Sequence, residues 1–432
     1  MSNAPAHPHL SVIIPTLYEV QSANAFLRLL CSILDDLEVS YEVIIVGLQN
    51  DDEISGLFEH HSIRLIKPEE GGYGGALLAG FAAAKGDYVL TTEPHLASSP
   101  DFAKTLWEKR DNADVVVASR YVPGARLRRA SFRHVLSYSL NVVFARGLNL
   151  RIRDMSSGFR LYNAAVLHRL SFSSKDFSIL EEILTKVYCE GYTVAEVPLT
   201  SEFSYRRVSF SRMLSFGFAY LRTFLKLYRL RNSILSADYD DRAYDSIVLP
   251  QRYWQRRRFQ YVVKLIAGQG PTLDVGCGSS RIIQALPDGS VALDILIRKL
   301  RYARKFKTWR LQASGFHLPV GDASFLCVLC SQVIEHVPKE SPILNELCRV
   351  LAPGGRLVLG TPDYANWEWR LIEAIYARVL PSAYADEHIA HYTRRELINL
   401  FAARGYTLES VNYILRGELI LAFRKPLSDI NN

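Results

Sequence analysis

The segment 272–278, with the sequence TLDVGCG, places an acidic residue on an apolar strand that runs directly into glycines. Glycine lets the backbone turn tightly at such a place and lets a nucleoside approach the main chain. Asp294 follows 20 residues after Asp274, at the end of a second apolar strand. A carboxylate there can accept hydrogen bonds from both ribose hydroxyls. This spacing predicts a nucleoside-binding α/β unit that begins near residue 245 and leaves the first half of the chain to a different unit.

Length and composition indicate a multidomain globular protein. The chain has 432 residues, of which 49% are hydrophobic and 22% charged, with a net charge of +7. Residues 1–9 lack the pattern of a signal peptide, and no apolar run reaches the roughly 18 residues of a spanning helix, so a cytoplasmic location is expected. Cys327 and Cys330 lie in an apolar strand pattern that directs them to opposite faces, which favours reduced thiols over a metal site.

Strand and helix patterns alternate through both halves of the chain, which predicts mostly parallel sheets with helices on both faces. The fold class expected is α/β with two Rossmann-like domains. The polar stretch 232–245 predicts a linker, which leaves one domain at 10–231 and the other at 246–427. An aromatic and basic helix at 212–231 ends the first domain. Its composition suits either packing between the domains or a helix lying among lipid headgroups.

Several ordered motifs make the first half resemble the family 2 glycosyltransferases, specifically the polyprenyl-phosphate branch of dolichol-phosphate-mannose-synthase-like proteins. The motifs are 15–19 (PTLYE), 70–80 (EGGYGGALLAG), 118–124 (ASRYVPG), 154–160 (DMSSGFR) and 206–212 (RRVSFSR), with Glu182 at the position of a helix glutamate. The resemblance implies a GT-A-like domain that transfers a sugar from a nucleoside diphosphate. It implies donor or acceptor contacts at Pro15, Glu19, Arg120, Arg133, Asp154, Arg160, Arg206, Ser211 and Arg212. Arginine suits phosphate because its fork donates two charge-assisted hydrogen bonds.

Three positions depart from that family's pattern. The family holds a metal with an Asp-x-Asp triplet after the fourth strand, and here Glu93 and His95 occupy the two ligand positions. Both residue types can ligate Mn²⁺, so we expect them to be the catalytic metal ligands for Mn²⁺ or Mg²⁺. The segment 47–50 (GLQN) replaces the family's Asp-Asp-Gly-Ser, and Tyr18 replaces an Asn. Two interpretations therefore stay open, an active transferase and a degenerate domain that only binds a glycan or lipid phosphate.

The second half resembles the class I methyltransferases that use S-adenosylmethionine. The motifs, in chain order, are 273–279 (LDVGCGS), Asp294, 318–325 (LPVGDASF), 330–337 (CSQVIEHV), 351–358 (LAPGGRLV) and 387–393 (EHIAHYT). The resemblance implies cofactor contacts at Asp274, Gly276, Cys277, Gly278, Asp294, Ile295 and Ser314, where Ser314 replaces an Asp that often bonds the adenine. His336 is the candidate general base for a hydroxyl acceptor, with His388 and His391 as alternatives.

Together the two resemblances imply a bifunctional enzyme of surface-glycan or lipid-linked sugar synthesis, which methylates a small-molecule or glycan acceptor. Its expected partners are a nucleoside-diphosphate sugar and a glycan or polyprenyl-phosphate acceptor. The basic helix predicts peripheral contact with the inner face of the cell membrane. Nucleic acid is not expected as a partner, because no nucleic-acid-binding module is recognised in the sequence.

Overall fold

The computed structural model describes residues 7–15, 23–47, 62–92, 102–127, 132–201, 210–379 and 388–427. The chain divides into two compact units, one formed by Met1–Tyr188 with Tyr192–Tyr228 and the other by Cys189–Gly191 with Arg229–Asn432. The main division therefore falls inside a helix, a few residues before the predicted linker.

The first unit is built around a seven-stranded sheet. Its elements are β1 (Leu10–Pro15), α1 (Ala23–Asp35), β2 (Tyr41–Val46), β3 (Ile63–Ile66), α2 (Gly72–Ala83), β4 (Tyr88–Thr91), α3 (Phe102–Glu108), β5 (Val115–Ser119), β6 (Arg126–Leu127), α4 (Phe132–Gly147), β7 (Arg160–Asn163), α5 (Ala164–Arg169), α6 (Ile179–Cys189), β8 (Val194–Pro198), β9 (Thr200–Ser201) and α7 (Phe210–Arg231). The strand order is β3-β2-β1-β4-β7-β5-β8, with β7 antiparallel to both of its neighbours. The strands β6 and β9 form a separate parallel pair.

Alternation along the strands creates two apolar layers in this unit. Ile13 of β1 packs in one layer with α2, α4, α6 and α7, whereas Val12 and Ile14 pack in the other with α1 and α3. Successive strand residues point to opposite faces, and both faces are covered by helices, so the strands are mostly apolar. The carboxyl ends of the parallel strands β1, β2 and β4 meet at one edge of the sheet, where ligands of such folds bind.

The second unit also contains a seven-stranded sheet. Its elements are α8 (Tyr239–Tyr244), α9 (Leu249–Ile266), β10 (Thr272–Val275), β11 (Val291–Asp294), α10 (Ile297–Tyr302), β12 (Trp309–Gln312), β13 (Phe325–Ser331), α11 (Ile343–Val350), β14 (Leu351–Pro362), α12 (Trp367–Val379), α13 (Arg394–Ala402), β15 (Thr407–Ile414) and β16 (Glu418–Arg424). The order is β12-β11-β10-β13-β14-β16-β15. Only β16 runs antiparallel to its neighbours, so the carboxyl ends of the first five strands share one edge.

The α/β class and the two-sheet organisation predicted from the sequence are confirmed by these sheets. Cys327 and Cys330 also lie as expected, because they are buried free thiols on opposite faces of β13. The segment 232–245, predicted as a linker, instead contains α8 and belongs to the second unit. The predicted domain limits, 10–231 and 246–427, thus remain a proposal, and they differ by a few residues from the division between Tyr228 and Arg229.

The glycine-rich segment 70–75 is the start of a helix rather than a loop, since α2 begins at Gly72. A Cβ atom on Gly74 would lie 2.5 Å from the carbonyl oxygen of Ser174. The Gly74 N–H donates to the Lys175 carbonyl at 2.9 Å. These glycines therefore allow the first turn of α2 to pack directly against the backbone at 174–175.

Among the described residues, each helix is either too short or too polar to cross a bilayer.

Candidate active sites

The carboxyl ends of β10 and β11 bring the glycine motif of the second unit and Asp294 together. One carboxylate oxygen of Asp294 accepts from the Gly278 N–H at 2.8 Å, and the other accepts from the Leu296 N–H at 2.8 Å. Gly276 and Gly278 have φ of +73° and +57°, a region that disfavours other residues. A Cβ on Gly276 would collide with Val333. The site therefore requires glycine for both backbone conformation and space.

Two buried carboxyl groups face this turn. Burial, together with the nearby charge of Asp294, raises the pKa of Asp274 to about 8. Burial also raises the pKa of Asp294, although the N–H groups of Leu296 and Gly278 oppose the shift. The carboxylate of Asp294 is thus the better placed of the two to stay ionised and to accept hydrogen bonds from a ligand.

Asp240, which was not predicted as a site residue, supports the glycine turn from outside it. Its carboxylate accepts from the Ser279 N–H at 2.9 Å and from the Lys299 ammonium at 2.9 Å. Burial opposes ionisation, but Lys299 and the Ser279 N–H lower the pKa of Asp240. The only sequence feature that could have indicated a role for Asp240 was the acidic composition of 238–245. That composition is equally typical of a linker.

The other predicted cofactor residues border the same turn. Cys277 is buried and its N–H donates to the Leu293 carbonyl, so this residue acts through its backbone. Ile295 is 63% exposed directly after Asp294, as expected of an apolar side chain that could cover an adenine face. Ser314 follows β12, and its hydroxyl accepts from the Phe316 N–H at 3.2 Å. This set of a carboxyl group held by backbone N–H groups, glycines without room for Cβ atoms and an exposed isoleucine fits S-adenosylmethionine.

A group of histidines and acids lies beyond the carboxyl ends of β13 and β14. Glu335 and His336 are in the 3₁₀ turn Ile334–His336, and the His336 and His388 rings meet edge to face at 5.0 Å between centroids. The Nδ1 atom of His388 lies 2.7 Å from the Tyr364 hydroxyl and 3.2 Å from Glu373. Because Val333 contacts the position of Gly276, this group adjoins the glycine turn.

Burial governs the electrostatics of this group. Burial raises the pKa of Glu335 to about 8, and the side chain is fully buried. Burial also lowers the pKa of His388, and the proximity of His336 lowers it further. His388 is therefore a neutral imidazole at neutral pH, able to use a lone pair toward a proton or an ion. Glu335 lies in one of the sequence motifs, but no role was predicted for it.

In the first unit, Arg120 and Asp154 form a buried pair beyond the end of β5. The Arg120 Nε and Nη2 atoms each donate to a different Asp154 oxygen at 2.7 Å, and Nη2 also donates to the Ser156 hydroxyl. Asn141 of α4 accepts from the Met155 N–H at 2.6 Å and donates to Ser156 at 2.9 Å. The network fixes the 154–157 segment against β5 and α4, so these two predicted site residues act together.

Arg160 lies in a different environment from the one its predicted role requires. It is fully buried, and its guanidinium donates to the backbone carbonyls of Ser157, Leu180 and Met155. In this conformation it cannot contact a donor or an acceptor. The structure therefore revises its role to that of a residue that supports the 155–157 segment, which a motif match alone could not reveal.

Glu182 is likewise engaged within the unit. It accepts from the Ser174 N–H at 2.8 Å and pairs with Lys186 at 2.7 Å. Burial opposes ionisation, but the hydrogen bonds from Lys186 and Ser174 lower the pKa of Glu182 to about 2.

Pro15, another predicted site residue of the first unit, is buried at the carboxyl end of β1, beside Val46.

The remaining predicted site residues of the first unit cannot be placed. Glu19, Glu93, His95 and Arg206 lie outside the described residues, as do the side chains of Arg133, Ser211 and Arg212. Their roles in metal, donor and acceptor binding stay predictions.

Comparison with known proteins finds a family match in each half of the chain. Residues 11–171 match the family described as glycosyl transferase family 2, and residues 273–359 match a methyltransferase domain family. A dolichol-phosphate mannosyltransferase of Pyrococcus furiosus is 29% identical over 202 residues, which cover 44% of this chain and 56% of that protein. A polyprenol monophosphomannose synthase of Mycolicibacterium smegmatis is 31% identical over 155 residues, covering 34% and 58%. The chain thus spans little more than half the length of these curated relatives.

Among solved structures, a SAM-dependent methyltransferase of Thermotoga maritima, described as a possible histamine N-methyltransferase, is 20% identical. It covers 43% of this chain and 98% of its own, with a TM-score of 0.34. The two family matches fall one in each unit and overlap most of the motifs of each half. The chain is therefore similar to family 2 glycosyltransferases over 11–171 and to a methyltransferase domain over 273–359.

Proposed function

We propose that the protein is a bifunctional enzyme that transfers a sugar and a methyl group during the synthesis of a surface glycan or a lipid-linked sugar. The observation that carries the proposal is the turn at the ends of β10 and β11, here called the cradle, where Asp294 accepts from the Gly278 N–H and Gly276 has no room for a Cβ atom, inside the stretch that matches a methyltransferase domain. Fusion to a glycosyltransferase domain supports a sugar-bearing methyl acceptor, because a tethered site meets the product of its neighbour at high effective concentration.

On the cofactor side, S-adenosylmethionine would supply a methyl group on a sulfonium centre. Asp294 would accept the hydrogen bonds of its ribose while it continues to hold Gly278 and Leu296 through their N–H groups. Ile295 would cover the adenine, and Ser314 would lie at the adenine edge. Each carboxylate oxygen of Asp294 has further lone pairs beyond the one that each backbone group uses.

On the acceptor side, His336 and His388 lie next to the glycine turn and face each other. Methyl transfer mainly requires alignment of the acceptor, and a hydroxyl acceptor also gains from proton removal. Tyr364 and Glu373 hold the Nδ1 atom of His388 and so orient its ring. We therefore propose His388, an alternative from the sequence, beside His336 for this role.

The glycosyltransferase half should release nucleoside diphosphate from a nucleotide sugar in a reaction that depends on Mn²⁺. We expect Glu93→Gln in the full-length chain to slow this release by at least about 100-fold, because a Lewis acid contributes several kcal/mol to such a reaction. Chromatographic detection of the diphosphate over a panel of uridine and guanosine diphosphate sugars measures it. Glu108→Gln, at an exposed glutamate of α3 in the same unit, is the matched control.

A second candidate function rests on the departures at Glu93, His95 and 47–50. In that case the first unit only binds a glycan or lipid phosphate, and the protein is a methyltransferase alone. Absence of diphosphate release with every sugar and metal, in a protein that still binds S-adenosylmethionine, would favour this alternative.

We further propose that the first unit binds anionic membranes through α4 and α7. One face of α7 packs on α4, where Phe224 lies 5.2 Å from Phe144 between ring centroids. Beside this contact both helices expose apolar side chains, namely Leu221, Leu225 and Tyr228 of α7 and Val135, Leu136, Tyr138 and Val143 of α4. Arg222 and Arg229 are exposed on α7 beside them. Such a mixture suits a surface that lies among headgroups.

The full-length chain should therefore co-sediment with phosphatidylglycerol vesicles at low salt. Higher salt should weaken binding, because exposed charges are screened beyond about 10 Å at 0.1 M. The double variant Leu221→Glu/Leu225→Glu should bind at least about 10-fold more weakly, since burial of a leucine contributes about 1.5–3 kcal/mol. Ile247→Glu, at a 93% exposed position of the second unit, is the control. Equal binding by both variants would leave the face without a role at the membrane.

A further inference from the structure

Glu335, His336 and His388 bring a carboxylate and two imidazoles to one place in the second unit. One potential ligand atom from each residue lies within 4.8 Å of the other two. The arrangement joins two separate stretches of chain, because the N–H groups of Ile389 and Ala390 donate to the Glu335 carbonyl at 2.8 and 3.0 Å. The backbone therefore holds His388 beside Glu335 independently of the side chains.

The buried carboxyl group of Glu335 lacks the partners that its ionised form would need. Its side chain is fully buried, and among the described residues the Oε1 atom has no hydrogen-bond partner. The Oε2 atom accepts from the Thr361 hydroxyl at 3.2 Å. The Arg258 guanidinium makes a two-pronged pair with Glu418 instead. Because buried carboxylates are normally paired or bound to metals, Glu335 points to a cation that is not part of the chain.

The surroundings of His388 match those of a metal-binding histidine. A ligating imidazole usually directs its second nitrogen to a carboxylate or another polar group, which fixes the ring and its tautomer. The Nδ1 atom of His388 has Tyr364 at 2.7 Å and Glu373 at 3.2 Å, and the Tyr364 hydroxyl donates to Glu373 at 3.0 Å. With Nδ1 engaged in this way, Nε2 carries the lone pair that can bind an ion. Trp369 stacks on the ring at 5.9 Å.

We propose that Glu335, His336 and His388 bind a divalent transition-metal ion such as Zn²⁺ or Mn²⁺. Two imidazoles and one carboxylate are a ligand set of catalytic metal sites, which leave a position open for water or substrate. Around an ion with bonds of about 2.0–2.2 Å, tetrahedral ligand atoms are about 3.3–3.6 Å apart, so the group needs only a small closure of its side chains. Mg²⁺ should bind weakly, because it prefers an all-oxygen shell.

The place of the site indicates what the ion would do there. It adjoins the glycine turn through Val333, on the side of the sheet edge where the methyl acceptor is expected. This role rests on the proposed methyl transfer, whereas ion binding itself does not. With both histidines bound to the ion, they no longer act as bases, and an acceptor hydroxyl that takes the open position becomes more acidic. Its proton passes to water, its oxygen bonds to the methyl carbon, and the electron pair of the broken C–S bond stays on sulfur. The acceptor class is therefore an alcohol, such as a sugar hydroxyl.

Ion binding can be measured directly on the untagged full-length chain after removal of metals with a chelator. We expect calorimetry with Zn²⁺ and Mn²⁺ to show a site that Glu335→Gln and His388→Asn each weaken by more than about 100-fold, since even outer-shell changes cost 10–100-fold. Co²⁺ should give visible absorption bands that the same variants remove. His317→Asn, which alters an exposed histidine elsewhere in the second unit, is the matched control and should keep the site.

The variants also separate this inference from the proposed function. An ion at the predicted Glu93–His95 site would remain bound in every variant of the second unit. Only the bound metal that is lost in Glu335→Gln and His388→Asn is therefore evidence for the proposed site. If neither variant changes the bound metal, or if the wild-type chain binds none, the inference is wrong. S-adenosylmethionine binding is measured in each variant as a control. Retained binding shows that the second unit is folded and tests the cofactor site independently of the ion.

Discussion

Asp294→Ala is expected to weaken S-adenosylmethionine binding by about 1.5–3 kcal/mol, which is roughly 10–150-fold, the scale of hydrogen bonds to a charged group. The carboxylate would lose its contacts with the ribose, and the Gly278 and Leu296 N–H groups would lose their acceptor. Asp294→Asn keeps one oxygen acceptor and should lie between the wild type and the alanine variant. Calorimetric titration of the full-length chain gives the dissociation constants.

Asp288→Ala is the control for this measurement. It removes the same charge from an exposed position of the turn before β11, so the affinity for S-adenosylmethionine should stay within about twofold of that of the wild type. If Asp294→Ala binds the cofactor as tightly as Asp288→Ala does, Asp294 does not bind the ribose, and the predicted role of this carboxylate in the cradle is wrong.

The proximity of Asp294 to the glycine turn was predictable from sequence because these residues are local to two strand ends. The period of apolar residues locates β10 and β11, and the pairing of parallel strands then places Asp294 beside the glycine turn. Positions 276 and 278 have positive φ, a conformation that glycine adopts at little cost and that most residues avoid. A backbone requirement of this kind selects glycine, so it can be recognised from the residue type in a single sequence.

Contacts between residues that are far apart in the sequence could not be predicted in this way. Asp240 supports the glycine turn from 39 residues before Ser279, and an acidic stretch is also what a solvated linker contains. Glu335 and His388 are 53 residues apart, and their proximity depends on backbone hydrogen bonds that no motif encodes. Arg160 matched a family motif, yet its burial among carbonyl oxygens could be known only from the fold. Tertiary packing decides these cases.

Asp154→Asn should give the largest loss of stability among the changes considered. The substitution keeps the shape of the side chain but removes the charge that pairs with Arg120, whose side chain is only 8% exposed. Loss of one partner from a buried ion pair typically costs about 3–5 kcal/mol, because the other charge stays buried without compensation. In a unit of this size the melting temperature should fall by on the order of 10 °C, as differential scanning calorimetry of the full-length chain would show.

Two further variants show whether charge rather than shape is responsible. Asp111→Asn breaks a 3.5 Å pair with Arg110 in the same unit, but Asp111 is 70% exposed, so its loss should cost less than about 1 kcal/mol. The double variant Arg120→Met/Asp154→Asn removes both charges and should recover much of the stability lost in Asp154→Asn, since replacing a whole buried pair is often nearly neutral. If the double variant is the less stable of the two, Asp154 contributes mainly through its bonds to Ser156 and the Arg120 N–H. Recovery of stability without recovery of diphosphate release would assign the pair a second role, the positioning of the 154–157 segment for the sugar donor or its acceptor.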